Sequence, residues 1–226
     1  MLLLSVDSSA VTASAALSKD GEIIKSELIN KGLTHSETLL PLIQSVMGEY
    51  NYSDLGAIAV TAGPGSFTGV RIGVATVKGL AFANNTPCIS VSTLEAIAYN
   101  FTDENAVICA VMDARRMQFY NALFKAENGK ITRLCDDRAI SLEDLRKDLE
   151  GFEKVIIAGD GAELCFKNIE LDNAFLADES KRFQNGTGVT LAAQGREAIT
   201  AGELRPVYLR PSQAERELKL KKENKE

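Results

Sequence analysis

The sequence predicts an α/β protein made of two tandem β-β-β-α-β lobes. Three observations carry this. Short apolar runs alternate with segments of helical periodicity, the pattern of layered α/β folds. One order of elements occurs twice: a buried strand ending in aspartate, a polar turn, two strands, a helix, a strand and a glycine turn. At 226 residues, 45% apolar and 25% charged, the chain can bury a core without disulfides or metal.

In the first half, Leu2 to Asp7 reads as a buried strand, Ser8-Ser9-Ala10 as a turn, and residues 11–18 as a second strand of small apolar residues. Gly21 marks a tight turn into a third strand, Glu22 to Ile29, whose alternation predicts half burial. Thr34-His35-Ser36-Glu37 has the form of a capping box opening a helix at 34–48. Leu39, Leu40, Leu42, Ile43, Val46 and Met47 give that helix an apolar stripe, and Pro41 inside it removes a backbone bond or kinks it. The strand Ala57 to Thr61 leads through Gly63-Pro64-Gly65 into a helix at 69–83, with Ser66 or Thr68 as N-cap.

The second half repeats the order. Val107 to Met112 ends in Asp113, Ala114-Arg115-Arg116 turns, and Met117 to Phe124 and Lys130 to Cys135 follow as strands. A helix at 141–149, the strand Lys154 to Ala158 and the turn Gly159-Asp160-Gly161 complete it. A linker at Asn100 to Asn105 divides the lobes, expected as 1–103 and 104–211. In Glu215 to Glu226, nine of twelve residues are charged, so residues 212–226 read as a frayed or disordered tail that is solvated or binds a partner.

The net charge of −6 and 6% aromatic content without Trp argue against direct duplex binding and against a base-stacking platform. Cys88, Cys109, Cys135 and Cys165 form no C-x-x-C pair and read as reduced, mostly buried thiols. The run after Met1 is too short for a membrane span and lacks a basic start, so a cytoplasmic protein is expected.

Four segments are candidates for function. Asp7, Ser8 and Ser9 lie at a strand end where α/β sheets bind ligands, or form a turn held by the Asp7 carboxylate. Residues 63–73, with Gly63 and Gly65, enter a helix and present N–H groups to an anion or simply make a tight turn. They match neither a Walker A loop nor the dinucleotide fingerprint. In the helix that follows, Gly69 and Gly73, and likewise Ala75, Gly79 and Ala83, recur every four residues and invite close helix approach, within the chain or with a partner. His35, the single histidine, cannot form a His-x-x-x-His metal pair; it reads as a capping or surface group or as a contact at an interface. Asp113 with Arg115 and Arg116, and Gly159 with Gly161, bind an anion or nucleotide or are plain turns.

Leu2 to Ser9, His35-Ser36-Glu37-Thr38-Leu39-Leu40-Pro41 and Gly63-Pro64-Gly65-Ser66-Phe67-Thr68-Gly69-Val70-Arg71-Ile72-Gly73 together resemble the TsaB family, also called YeaZ. Asp113-Ala114-Arg115 and Pro206-Val207-Tyr208-Leu209-Arg210 add to the resemblance, which spans residues 1–211 and is sparse from 125 to 200. It implies the actin-like ATPase (ribonuclease H-like) fold and a role in making N6-threonylcarbamoyladenosine beside the anticodon of tRNAs that read codons starting with A. It further implies a non-catalytic subunit that pairs with the catalytic paralogue TsaD and is joined by the ATPase TsaE. On that reading this chain alone binds no cofactor, ATP and a divalent metal belong to the partner subunits, and tRNA is met only through the complex. The expected docking face is His35, Leu39, Leu42, Ile43, Val46, Arg71, Ile72, Ala75, Gly79 and Ala83, able to self-associate as a homodimer. Asp7, Ser8, Ser9, Gly63, Gly65, Asp113, Arg115, Gly159 and Gly161 are then vestigial phosphate turns. The alternatives are a small-molecule kinase or ATPase using Asp7 and Asp113, a metallopeptidase, which one histidine disfavours, and a stand-alone tRNA-binding module, which the charge disfavours.

Overall fold

The computed structural model describes residues 1–30 and 34–210. In chain order the elements are β1 Leu2–Asp7, β2 Ala13–Lys19, β3 Glu22–Ile29, α1 His35–Met47, β4 Leu55–Gly63, α2 Phe67–Asn84, β5 Cys88–Ser92 and α3 Thr93–Ala98. The second half has β6 Ala106–Asp113, β7 Gln118–Glu127, β8 Lys130–Arg133, β9 Arg138–Ser141, α4 Leu142–Leu149, β10 Val155–Ala158, α5 Ala162–Ile169, β11 Ala174–Leu176, α6 Glu179–Arg182 and α7 Gly186–Ala193. The expected charged tail lies outside the described residues.

The duplication is visible in the sheets. The first has the order β3-β2-β1-β4-β5 and the second β11-β10-β6-β7-β8, which is the same topology read from the other edge. β1 and β6 are the central strands, each antiparallel to the strand after it and parallel to the strand beyond the helix. Alternation along these strands serves two layers at once. Leu2, Leu4 and Val6 pack under α1 and α2, whereas Leu3, Ala57 and Ala59 meet Ala96 of α3 and Val189 and Ala192 of α7. In the second sheet, Ile108, Ala110 and Met112 meet Leu94 and Ile97 of α3, and Val107, Cys109 and Val111 meet α4 and α5. The order of layers is α1/α2, sheet, α3/α7, sheet, α4/α5. With both faces of each sheet covered, the central strands read as continuous apolar runs rather than as strict alternation.

The middle layer is shared. Helix α7 returns from the second half onto the first sheet, where Gly186 N–H donates to Ser14 Oγ at 2.8 Å and Thr190 Oγ1 donates to buried Ser5 Oγ at 2.8 Å. A side chain at Gly186 would collide with the backbone of Ala15 and Ala16. Opposite, Glu95 of α3 accepts hydrogen bonds from Arg133 Nη2 of β8 at 2.9 Å and from Arg196 beyond α7. Arg133 Nη1 also reaches Asp137 at 2.6 Å, and Asp137 accepts from Ser92.

Local expectations differ from the structure at four places. β3 is mostly exposed rather than half buried, with Ile24 and Leu28 at the surface, because it is the sheet edge. The capping box at Thr34 does not form; the Thr34 carbonyl takes the Glu37 N–H at 2.9 Å, the group a capping side chain would have taken. The strand from Lys130 stops at Arg133, since the Leu134 N–H bonds Leu123 O and Cys135 Sγ instead accepts the Leu123 N–H. β9 then pairs with the opening half of β7, an element absent from the sequence reading. The cysteines are free, and burial pushes the Cys165 thiol up to about 12, so it stays protonated at neutral pH.

Gly186→Ala should lower stability by about 1–3 kcal/mol through overpacking against β2. Urea unfolding of the variant against the unaltered chain measures it, and an equal midpoint would remove this account of α7 docking.

Candidate functional site

Two regions carry the sequence-predicted residues: the cleft between the sheets, and the outer helical layer. In the cleft, the hairpin after β1 is held by Asp7. Its fully buried carboxylate accepts Thr61 Oγ1 at 2.6 Å, Ser9 Oγ at 2.8 Å and the Ser9 N–H at 3.3 Å. Burial pushes the Asp7 carboxyl up, and the Thr61 and Ser9 hydrogen bonds pull it back. The carboxylate thus works as an anchor for its own turn.

The glycine-rich segment packs onto this hairpin. Ser66 N–H donates to Ser9 O at 2.7 Å, and Ser8 Oγ donates to Gly69 O at 2.9 Å. A Cβ at Gly65 would strike Ser9 O, one at Gly69 would strike Ser8 O, and one at Gly73 would strike Ser8 Oγ. The row Gly65, Gly69, Gly73 is therefore a groove for the chain's own hairpin. Ser66, not Thr68, is the N-cap, accepting the Gly69 N–H at 3.3 Å. His35 completes the contact: its Nε2 donates to Ala10 O at 2.6 Å, while its buried Nδ1 meets no partner among the described residues. The single histidine joins α1 to the hairpin and is not on an outward face.

The second half uses the same positions differently. Asp113 accepts the Arg115 N–H at 2.7 Å, and Arg115, Arg116 and Met117 all have positive φ. Gly159 and Gly161 approach the backbone of Val111 and of Met112–Asp113, so they close the turn onto β6. Gly63 admits the carbonyl of Val207 from the last described segment. A cavity of about 540 Å³ lies between Ser66, Thr68, Asp113, Arg115, Asp160 and Tyr208. Asp160 is half-buried at the cavity wall, and desolvation raises its pKa to about 6, opposed by a hydrogen bond from Gln184 and reinforced by Asp113 and Asp7. Among the described residues no three His, Cys, Asp or Glu side chains are grouped to hold a metal.

The outer layer divides the predicted docking residues. Leu39, Leu42, Ile43 and Val46 are buried in the core beneath α1 and face no partner. Their heptad-like spacing describes the chain's own sheet-covering stripe. Arg71, Ala75, Gly79 and Ala83 are exposed along α2, with Ile72 half-buried among them. Beside them sequence reasoning missed Phe82, 79% exposed, while Leu40, expected in the apolar stripe of α1, is 44% exposed. The four-residue spacing of the small side chains was the available signal; Phe82 sits three residues from Gly79, on the same face.

Because the Asp160 carboxyl keeps its proton to about pH 6 in the folded chain but only to about pH 4 unfolded, folding loses stability as pH rises through that window. Asp160→Asn should abolish this loss, raising stability at pH 7 by about 2 kcal/mol. Thermal unfolding of both proteins from pH 4 to 7 tests it, and parallel curves would refute it. Asp7→Asn should instead destabilise by about 2–3 kcal/mol, since an amide cannot accept all three donors. Urea denaturation reads that difference.

The family model described as TsaD: tRNA N6-adenosine threonylcarbamoyltransferase matches residues 30–198. The tRNA threonylcarbamoyladenosine biosynthesis protein TsaB of Bacillus subtilis is 30% identical over 221 residues, covering 95% of this chain and 96% of that one. The protein of the same name from Escherichia coli is 36% identical over 135 residues, 57% of this chain and 58% of that one. Among solved structures, YeaZ from Pseudomonas aeruginosa superposes with a TM-score of 0.79 at 27% identity, over 92% of this chain and 99% of that one. The doubled sheet order, with these likenesses, is the actin-like ATPase fold.

Proposed function

We propose a role from one premise: the chain belongs to the TsaB (YeaZ) family of tRNA threonylcarbamoyladenosine biosynthesis proteins. It is a non-catalytic subunit that activates threonylcarbamoyl transfer by docking a TsaD-type paralogue on the outer face of α1 and α2. The observation that carries this is the exposed row Ala75, Gly79 and Ala83 with exposed Phe82 beside it on α2, and exposed Leu40 on α1. Gly in mid-helix is unfavourable by up to about 1 kcal/mol against Ala. At Gly79 a Cβ would meet nothing within 4 Å, so nothing in the described chain requires glycine there. A partner helix packed against it supplies the reason, in an interface of about 1,600 Å² in total.

The cleft supports the non-catalytic part. Every donor that meets Asp7 among the described residues comes from its own turn and β4, which leaves that carboxylate no open side for a metal ion. Arg115 and Arg116 occupy the second turn where a phosphate would need small residues. Nucleotide and divalent metal accordingly belong to the partner subunits, a TsaE-type ATPase joins the pair, and tRNA is bound by the assembly. Alone, the same face closes a homodimer. No described helix is long and apolar enough to cross a membrane, and the cytoplasm, where tRNA is modified, is the proposed location.

Gly79→Arg should abolish co-purification with the TsaD-type protein and, in a reconstituted tRNA-modification assay, the activity that depends on this chain. Its unfolding temperature should be no lower than that of the unaltered chain, because the side chain projects into open space and Arg is a better helix former than Gly. Co-purification at full yield, or modification that proceeds equally without this chain, overturns the proposal. Gly79→Ala should raise the stability of the isolated chain by about 0.5–1 kcal/mol, read by thermal unfolding at a concentration where it is monomeric.

A further inference from the structure

Building on that docking face, we infer that Arg71 is its polar anchor, taking a carboxylate of the partner protein, and that Tyr208 is the residue that positions it. Arg71 lies at the cleft end of the outward face of α2 and is exposed. Its guanidinium carbon sits 4.0 Å over the Phe67 ring. Phe67 is stacked on Tyr208, with centroids 4.1 Å apart and planes inclined by 17°. Arg71 Nε donates to Tyr208 Oη at 2.8 Å. One side chain thus has its stem, plane and inner nitrogen all fixed.

Tyr208 is itself held by a strap that crosses between the lobes. Val207 N–H donates to Ala62 O at 2.7 Å, Lys78 Nζ to Leu204 O at 3.2 Å, and Arg210 Nη1 to Ala114 O of the second hairpin at 3.1 Å. This gives the Pro206–Arg210 motif a task that neither sheet explains. With Nε engaged, no other acceptor meets Arg71 among the described residues, and its two terminal nitrogens remain as a fork. A planar fork matches a carboxylate in bidentate fashion. Because the side chain is ordered beforehand, less rotamer entropy is lost on binding.

The neighbours decide the class of partner. Ile72, Ala75, Gly79 and Phe82 continue the same face as small or apolar surface, suited to a packed helix. A nucleic-acid phosphate would instead call for further cations there, but Lys78, the other cation of α2, is turned to the Leu204 carbonyl, and the chain carries a net charge of −6.

Calorimetric titration of the full chain with the TsaD-type protein, at low and high salt, tests this. Arg71→Ala should weaken binding by at least about tenfold and flatten its salt dependence. Tyr208→Phe keeps the ring stack and the fold, and should weaken binding about threefold by freeing the guanidinium. In the double variant the second substitution should add nothing to the loss from Arg71→Ala, the non-additivity of a residue acting through another. Unaltered affinity of Arg71→Ala, additive losses in the double variant, or a loss of affinity for tRNA in place of the protein partner would each overturn the inference. If Gly79→Arg abolishes binding while Arg71→Ala does not, the anchor is wrong and the docking face stands. No binding by the unaltered chain overturns both.

Discussion

The Asp7 carboxylate, sealed from solvent, binds Thr61 of β4 and both donors of Ser9, and through them ties the first hairpin to the neighbouring parallel strand. An unpaired carboxylate at that depth would be strongly unfavourable, so the three donors have to be in place for the sheet to close. The hairpin so fixed presents Ser8 and Ser9 as a backbone ridge. α2 seats on the ridge through Gly65, Gly69 and Gly73, and α1 follows through His35 and Ala10. The height and tilt of the outer helical layer therefore descend from one buried acid.

That seating gives α2 two faces with the same spacing and opposite purposes. Gly69 and Gly73 turn inward, where a side chain would strike the hairpin, and Ala75, Gly79 and Ala83 turn outward, where Gly79 meets nothing. Small residues four apart mark close approach in both cases. Only burial separates the approach already made from the one still available. The same helix carries Arg71 at the edge of the outward face, stacked against a strap from the chain's far end, so the docking surface and the interlobe contact share a side chain network.

The lobes are also coupled through the middle layer, where α3 packs on both sheets and α7 returns from the second half onto the first. Glu95 gathers Arg133 from the second sheet and Arg196 from beyond α7 in a partly buried cluster, with Phe124 under the Arg133 guanidinium. Removing one member of such a cluster leaves an uncompensated charge, which is more unfavourable than losing the whole set. This contact joins the second sheet to the helices that cover the first.

The amino-acid sequence by itself determined the doubled order of strands and helices, the aspartate at the end of each central strand, and the glycine turn into α2. These are local features: hydrophobic period, turn chemistry and the pairing of a strand end with a polar turn act within a few residues. What tertiary structure decided was which side of each pattern faces inward. Leu39, Leu42, Ile43 and Val46 of α1 look the same in sequence whether they cover a sheet or a partner, and the sheet beneath took them. The return of α7 onto the first sheet and the Tyr208–Phe67–Arg71 stack join residues 172 and 137 positions apart, and the edge position of β3 is likewise set by the whole sheet. Such contacts depend on the summed packing of all layers, and no periodicity within one segment encodes them.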